Sequence, residues 1–308
     1  DEAGRSTPRQ GAADTPEDLA VKAVAALTSS TVRRVKDLKE LATLPLDDRL
    51  KRNHLATIYA DGNNVGNLMS GIDDLAIAKW VSAAINDAIM SSGHRALAEL
   101  MPRCRRGVLP GIVTVLAADD ALVTVPAPFG WALATAIIDG FAAGMDDAVA
   151  QGILRTGEPV PSYTAGIAFS HMKSPIEQAI RSADAAMRAA KKAFPGTAAV
   201  GWVDLSHPVQ GPPAHRSIEW LTEWRPLLDR LIALPASQRA KWERDIAGAR
   251  AAHIPDDRIL RFLTHEATRL DISEFRDSTV DLDEIGHLLA IARWWDGTVI
   301  ATDSEVDE

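Results

Sequence analysis

Three aspartates are the residues whose type and placing could support metal-ion chemistry. Asp61 ends a β-rich run, HLATIYAD, and the doublet Asp119-Asp120 separates two further β-rich runs. Carboxylates that are brought together raise one another's pKa and repel unless a cation compensates them. Their oxygens are hard ligands, which favour Mg²⁺ or Mn²⁺. If the fold gathers the three side chains, they could hold a metal pair that activates a hydroxyl nucleophile and stabilises a leaving pyrophosphate.

A glycine- and asparagine-rich run follows Asp61 directly. Residues 62–66 read GNNVG, and Gly and Asn tolerate the left-handed backbone angles that turns require. Such a turn could direct backbone N–H groups at a triphosphate. A plainer interpretation is also open, because Asp doublets and Asp-Gly pairs are common turn formers on solvated loops. Spacing alone does not decide between the two.

The order of the predicted elements could bring the aspartates together. We predict helices over about 17–27, 32–41, 72–100, 129–145 and 176–194, and strands at 54–61, 112–116, 122–125, 163–170 and 198–205. The two middle strands, with Ala117–Asp120 between them, are typical of a hairpin. This order indicates a ferredoxin-like, palm-type α+β fold, with helices on one face of a largely antiparallel sheet. The first strand and the hairpin lie side by side in such a sheet.

Local signals support two of these helices. Ser174, Pro175 and Glu177 predict a helix start with an N-cap serine, a first-turn proline and a capping-box glutamate. The helix over 72–100 is predicted from apolar residues at helical spacing, which should form its buried face. These residues are Ile72, Leu75, Ala76, Trp80, Ala83, Ala84 and Ala88.

The chain divides into four predicted parts. They are a disordered tail (1–16), N-terminal helices (17–50), a palm domain (51–206) and a small all-α domain (207–308). The last boundary depends on SHPVQGPP, residues 206–213, which is typical of a linker. Beyond it, residues 216–295 are predicted to be wholly helical. The chain begins with Asp rather than Met, so the presence of a preceding domain stays open.

Composition restricts the class of function. The 308 residues carry 42 acidic and 33 basic side chains, a formal net charge of −9. A general nucleic-acid binder needs a basic excess, so nucleic acid could bind only through a local patch. No apolar run approaches the ~20 residues of a membrane-spanning helix. The single cysteine, Cys104, excludes an internal disulfide and a Cys-based zinc site, and it is typical of the reducing cytoplasm.

Three runs, in order, resemble the GGDEF-type nucleotidyl cyclase palm. They are IYADGNNVGNLM, VTVLAADDALVTVPA and YTAGIAFSHMKSPIEQAIRSADAAMRAAKKAF. In particular they are similar to the second palm domain of the large subunit of type III CRISPR effector complexes. This large subunit makes cyclic oligoadenylates. The resemblance covers roughly residues 52–205. The later run HLLAIARWWDG is similar to that subunit's C-terminal helical domain, with less specificity.

The resemblance implies roles for individual residues. Asp61 and Asp119 match metal-binding aspartates, and Asp120 matches the position that supports the metal or the attacking hydroxyl. Lys191 ends ADAAMRAAK, which resembles the family's ADxALYxAK pattern, and is implied to contact a nucleotide phosphate. The implied cofactor is Mg²⁺ or Mn²⁺, held by the three aspartates. The implied nucleotide-binding set also includes Gly62, Asn63, Asn64, Gly66, Ala117 and Ala118.

The sequence departs from the family at three positions. Ala117 and Ala118 replace two glycines, which permit unusual backbone angles and close contact with a nucleotide. Asn63 stands where many relatives carry a second acidic residue. These changes bear on nucleotide choice and turnover.

Two functions stay open. One is an enzyme that converts nucleoside triphosphates, with ATP as the expected substrate, into a cyclic or short oligonucleotide signal in CRISPR-like or antiviral defence. The other is a catalytically degenerate palm that acts as a nucleotide sensor or as a scaffold in a CRISPR-like ribonucleoprotein. The implied partners are the triphosphate, a second copy of the chain and RNA-guided effector subunits.

Two further features have a plainer interpretation beside a functional one. Arg103, Arg105 and Arg106 could receive a triphosphate or RNA, but such a cluster is typical of a solvated loop. Trp294 and Trp295 could stack on bases. At the end of an amphipathic helix, however, they are typical of a core.

Several expected absences and unassigned residues complete the prediction. Thr264-His265-Glu266 resembles the start of HExxH, but Arg269 replaces the second His, so a surface helix is predicted. His54 and His171 are expected near the carboxylates and receive no role.

No His-Asp doublet occurs, so we predict neither an HD nuclease domain nor cleavage of single-stranded DNA. A minimal or standalone relative of the palm subunit is therefore expected.

Overall fold

The computed structural model describes residues 13–47, 53–154, 160–206, 212–269 and 281–295. The helices are α1 (Pro16–Thr28), α2 (Leu38–Ala42), α3 (Val65–Ser70), α4 (Leu75–Leu100), α5 (Gly130–Ala150), α6 (Ile176–Ala193), α7 (Ile218–Glu223), α8 (Arg225–Ala233), α9 (Ala236–Ala251), α10 (Asp256–Arg269) and α11 (Leu282–Trp294). The strands are β1 (His54–Asn63), β2 (Ile112–Ala117), β3 (Asp120–Pro126), β4 (Ser162–His171), β5 (Ala199–Asp204) and β6 (Ala214–Ser217). Most of the predicted tail, residues 1–12, lies outside the described residues.

One six-stranded sheet organises the described chain, in the order β2-β3-β1-β4-β5-β6. β1 pairs antiparallel with both β3 and β4, whereas β4 and β5 are parallel. The sheet is therefore largely antiparallel, and β1 lies inside it. The α+β class and the palm-type arrangement, with the first strand beside the central hairpin, are confirmed.

Helices cover both faces of the sheet, so the prediction of one covered face is wrong. Gly130 of α5 lies against Ala56 and Phe169, whereas Gly166 lies against Ala183 of α6. Phe169 and Gly166 are three residues apart in β4 and therefore point to opposite faces. Each face presents apolar or small side chains, so each needs a helix to exclude water. As a result α6 lies over the face to which Asp61 belongs.

The predicted helix over 32–41 is correct only at its end. Residues Leu38–Ala42 are helical, but Arg33 forms an isolated bridge with Val108. The N–H of Arg33 donates to the carbonyl of Gly107 at 3.0 Å, and the N–H of Leu109 donates to the carbonyl of Arg33 at 2.8 Å. This long-range pairing holds the segment extended.

The predicted capping box at Ser174 does not form. Pro175 is the N-cap residue with ψ 123°, and α6 begins one residue later, at Ile176. The N–H of Ser174 instead donates to the carbonyl of His171 at 2.8 Å. Glu177 forms an ion pair with Arg181, one helical turn along. The helix itself, and its end near Phe194, agree with the prediction.

The sheet continues past the predicted boundary at residue 206. Residues 214–217 form β6, which pairs antiparallel with β5, so the prediction that 216–295 is wholly helical is wrong at its start. Trp294 stacks on Phe169 at 5.3 Å between ring centroids, and Trp295 stacks on Trp131 at 5.7 Å. Both end-of-helix tryptophans are buried. They therefore pack the helical part onto the sheet and α5, and the core interpretation is confirmed.

None of the helices among the described residues combines the length and the apolar character needed to span a membrane.

Candidate functional site

The pairing of β1 with β3 places Asp61 directly opposite Asp120. Ala117 and Asp120 close the β2–β3 hairpin as a pair, so Ala118 and Asp119 form its two-residue tip. The carbonyl of Asp119 accepts the N–H of Gly62 at 3.0 Å. Asp61, which precedes Asp119 by 58 residues in the chain, thus lies with Asp119 and Asp120 at one end of the sheet.

Lys191, near the end of α6, lies within this group of carboxylates. Its Nζ forms an ion pair with Oδ2 of Asp61 and donates to the carbonyl of Gly62 at 2.9 Å. The Lys191 side chain is 25% exposed and that of Asp61 is 30% exposed, so both can be reached from solvent. The predicted phosphate-contacting lysine therefore contacts a predicted metal ligand.

Two glycines position α6, and with it Lys191. Gly166 of β4 and Gly201 of β5 are paired in register. A Cβ at Gly166 would overlap the carbonyl oxygen of Ala183, and one at Gly201 would overlap that of Ala186. The backbone of α6 therefore lies directly on the two strands, closer than any side chain would permit.

The carboxylates shift one another's pKa through electrostatic repulsion. Partial burial raises the pKa of Asp120, and the charges of Asp61 and Asp119 raise it further, whereas Lys191 opposes the shift. Burial, together with Asp120, also raises the pKa of Tyr59. The site therefore carries more negative charge than its own cation compensates.

The donor set fits a hard divalent ion in chemical type but is not preassembled. Asp61, Asp119 and Asp120 offer only carboxylate oxygens, which Mg²⁺ and Mn²⁺ prefer. Across the described ranges, however, no group of three or more His, Cys, Asp or Glu side chains is arranged to hold a metal ion. The ammonium group of Lys191 instead takes up part of the charge.

Asp120→Asn is expected to stabilise the metal-free fold at neutral pH. A carboxyl whose pKa is raised by folding destabilises the folded state once it is ionised. The gain in unfolding free energy, about 0.5 kcal/mol as for a like-charge cross-strand pair, should be absent below the ordinary Asp pKa of 3.8. It should grow up to the raised pKa and stay constant above it. Urea unfolding with a chelator, repeated across this pH range, measures the difference; a variant no more stable than wild type at neutral pH would contradict it.

The resembled family has two glycines where this chain has Ala117 and Ala118, and the backbone at the hairpin tip requires only the second of them. Ala118 has φ 57°, in the left-handed region that favours glycine, whereas Ala117 is not among the residues with positive φ. Both alanines are exposed. The strain of an L-residue in this region is roughly 1–2 kcal/mol. The departure from the family pattern therefore carries a conformational cost at position 118 only.

Ala118→Gly is expected to raise the unfolding free energy by about 1 kcal/mol, because it removes this strain. Ala117→Gly is the matched control, since it adds flexibility to a regular strand and should lower stability by about 0.5 kcal/mol. Thermal unfolding of both variants measures the contrast. Equal effects at the two positions would show that the backbone angle of Ala118 is not the cause.

The run GNNVG is the end of a strand followed by a helix, and not the predicted turn over residues 62–66. β1 continues through Asn63, and α3 begins at Val65, with Asn64 at φ 64° as its N-cap residue. Gly62 is buried, and a Cβ there would lie 2.6 Å from Cγ2 of Val65. Asn64 and Gly66 are exposed. Glycine at 62 therefore serves packing within the protein.

Asn63 is held by the protein itself. It is 5% exposed, and its Nδ2 lies 2.8 Å from Oγ of Ser162, 2.9 Å from Oγ1 of Thr164 and 3.1 Å from the carbonyl oxygen of Thr197. This amide ties β1 to β4 and to the segment before β5. We therefore leave Asn63 out of the candidate ligand site.

Helix α4 forms a rim of the site that the sequence pattern did not indicate. Oδ1 of Asn86 accepts the N–H of Ala118 at 2.9 Å, and further along Gly93 packs on Leu116 of β2. The residues before Asn86 therefore extend past the hairpin tip. The predicted buried face of this helix is wrong: Val81, Ile85 and Ile89 are buried, whereas Trp80 is 65% exposed. Successive residues of an α-helix are rotated by about 100°, so Trp80 and Ala83 lie on the solvent-facing stripe. Leu75, also predicted to be buried, is 70% exposed.

Two other predicted features lie far from the carboxylates. His54 pairs with His171 across β1 and β4, with ring centroids 5.2 Å apart. These histidines are seven positions along β1 from Asp61, roughly 23 Å at the rise of a strand, so the expectation that they lie near the site is wrong. Arg105 and Arg106 are exposed and precede the start of β2, at the same remote end. The arginine cluster therefore does not face the carboxylates.

The HExxH-like segment is a surface helix, as predicted. His265 is exposed on α10, and Glu266 lies 3.6 Å from Nζ of Lys241.

The fold and the site together define an α+β protein of the palm type, with an acidic group at the hairpin end of its sheet. Among solved structures, the chain is similar to Csm1 from T. onnurineus, with a TM-score of 0.57 and 13% sequence identity over 84% of this chain and 40% of Csm1. It is also similar to the Csm1–Csm4 cassette in complex with cA4, with a TM-score of 0.55 and 14% identity over 84% of this chain and 38% of that chain.

These similarities confirm, at the level of the fold, the predicted resemblance to the type III CRISPR large subunit. The chain spans about two fifths of the length of the Csm1 chains that it matches. Neither a protein-family model nor a curated protein matches the sequence.

Proposed function

We propose that this chain is a metal-dependent nucleotidyltransferase or cyclase that joins nucleoside triphosphates, with ATP as the expected substrate, into a cyclic or short oligonucleotide. The observation that carries the proposal is the placing of Asp61, Asp119 and Asp120 at one end of the sheet, beside a lysine on α6. The fold adds support. Structures of the similar Csm1–Csm4 cassette contain AMPPNP, pppApA or cA4.

In this proposal each charged residue has a distinct task. Asp61, Asp119 and Asp120 would hold Mg²⁺ or Mn²⁺, which when bound would lower the pKa of an attacking hydroxyl and offset charge on the phosphates. Lys191 would bind a phosphate oxygen as a mobile point charge. The first N–H groups of α3, from Val65 onward, have no partner within that helix and would donate to the same phosphates.

The test is product formation from each labelled nucleoside triphosphate with Mn²⁺, followed by chromatographic separation. Wild-type protein should release pyrophosphate and an oligonucleotide, and Asp119→Ala should not. Asp87→Ala is the control, because Asp87 is exposed on α4 and is not part of the carboxylate group. No product from any triphosphate would contradict the proposal, and so would undiminished product from Asp119→Ala.

A second function, a nucleotide sensor or scaffold without turnover, is supported by the ion pair between Lys191 and Asp61. A carboxylate neutralised by the chain's own cation is not organised for metal binding before a ligand arrives. Tight ATP binding without product would favour the sensor, and copurified RNA or effector subunits would favour the scaffold.

We also propose that a second copy faces the site and that the protein acts in the cytoplasm. Light scattering with and without ATP tests the first of these two points.

A further inference from the structure

The carboxylate group contains its own cation. Two donor positions of the Lys191 ammonium are used within the protein, one on Asp61 and one on the carbonyl of Gly62. An ammonium group has three donors and no acceptor, so these contacts leave it one further hydrogen bond. Asp61 is therefore neutralised by the chain, in the same place where a divalent ion would use its oxygens.

A divalent ion and the Lys191 ammonium cannot share Asp61 without strong repulsion. The two cations would lie within a few ångströms of each other, where their Coulomb repulsion is only weakly screened by the protein surface. An ion that binds Asp61 must therefore move the lysine. The phosphates of a triphosphate are the partner that makes this movement favourable, because they replace the carboxylate as the acceptor of its hydrogen bonds.

We propose that Lys191 is the internal counter-cation of the carboxylate group and that a triphosphate opens the metal site by drawing the ammonium off Asp61. This inference rests on the proposed function and names the step that couples its two ligands. The metal alone binds weakly, because it competes with Lys191. By linkage, metal and triphosphate each strengthen the binding of the other by the same factor.

The structure limits the movement to the side chain. The backbone of α6 lies on Gly166 and Gly201, where a single Cβ would overlap it, so the helix cannot slide to take Lys191 away. The lysine side chain is partly exposed and has a flexible four-carbon stem. Its ammonium can therefore exchange between Asp61 and a phosphate while α6 stays in place.

The experiment is isothermal calorimetry of Mn²⁺ binding, with and without AMPPNP, to wild-type protein and to Lys191→Met. Removal of the competing cation should strengthen binding of Mn²⁺ alone by at least ~10-fold, although a phosphate-binding lysine is lost. The enhancement of Mn²⁺ binding by AMPPNP should be smaller in the variant than in wild type, because only the direct attraction between Mn²⁺ and the phosphates remains. Lys191→Gln serves as a second neutral variant, and circular dichroism checks the fold of both.

Two single variants serve as controls. One keeps the positive charge at position 191, and the other removes the positive charge next to it. Lys191→Arg retains a cation beside Asp61 and should bind Mn²⁺ alone as weakly as wild type. Lys192→Met removes an adjacent charge that is exposed and forms no ion pair among the described residues, and it should leave both titrations unchanged. In Asp61→Asn/Lys191→Met, the gain in Mn²⁺ affinity should disappear.

The outcomes separate this inference from the function on which it rests. Mn²⁺ binding to Lys191→Met that is no tighter than to wild type overturns the inference, and the proposed function stands if wild type still forms product. A gain that persists in Asp61→Asn/Lys191→Met overturns it as well, because Asp61 would not be the contested ligand. If wild type binds no AMPPNP, or no Mn²⁺ even with AMPPNP present, the proposed function itself is contradicted.

Discussion

Asp61→Asn is expected to lower metal-dependent product formation by at least ~100-fold, about 2.7 kcal/mol of transition-state stabilisation. The amide keeps the shape of the side chain but loses the charge that a divalent ion requires. It also removes the partner of the Lys191 ammonium. The initial rate of product release at saturating triphosphate and Mn²⁺ measures the loss, and thermal unfolding shows whether the fold is intact.

Asp184→Asn is the matched control for this change. Asp184 also lies on α6 and is bound by an arginine, Arg188, one turn along the helix. Its charge is close enough to raise the pKa of Tyr59, but it is not one of the three grouped aspartates. Product formation should therefore change less than ~3-fold, well under 1 kcal/mol. A large loss in Asp184→Asn, or a small one in Asp61→Asn, would show that the assignment of the metal-binding carboxylate is wrong.

Gly166→Ala is expected to reduce the free energy of unfolding by about 3 kcal/mol, the upper end of the usual cost of overpacking. The added methyl group would overlap the backbone of α6 at Ala183 and approach that of Met187. Backbone atoms cannot rotate away as a side-chain end can, so the whole helix must lift from the sheet. Denaturation in urea measures the change.

Gly286→Ala provides the control for Gly166→Ala. Nothing lies within 4 Å of a Cβ at Gly286, which is inside α11. There the substitution should stabilise the protein by up to about 1 kcal/mol, because alanine is the better helix former. If Gly166→Ala unfolds at the same urea concentration as wild type, the close contact between α6 and the sheet is not as described.

Gly166→Ala also connects stability to the site. Lys191 reaches Asp61 only because α6 lies on β4 and β5 without intervening side chains. A variant that still folds with a lifted helix should therefore lose part of its affinity for AMPPNP as well. The same titration on Gly286→Ala should match wild type.

The amino-acid sequence by itself determined the local elements and the class of fold. Strand β1, the β2–β3 hairpin with its acidic tip, and α6 each have a hydrophobic period or a turn signal within one short segment. The order of these segments was sufficient to indicate a palm-type sheet and to bring Asp61 near Asp119 and Asp120. The resemblance of three runs to a cyclase palm agreed with that order.

The tertiary structure alone decided what depends on distant backbone pairing. The bridge between Arg33 and Val108 keeps the chain extended where the sequence predicted helix, and the pairing of β6 with β5 extends the sheet beyond the predicted boundary. Neither partner is visible from a local pattern. The exposure of Trp80 depends instead on which face of α4 packs against the core, which buries Val81 and Ile85 and leaves Trp80 in solvent.

The positions of single side chains in the site were also beyond the sequence. The resemblance to the family pattern implied a role for Lys191, but it could not show that this lysine neutralises Asp61. That contact depends on which face of the sheet α6 covers and on how closely Gly166 and Gly201 let it approach. Side chains alternate between faces at every residue of a strand, so only the three-dimensional register decides which charges meet.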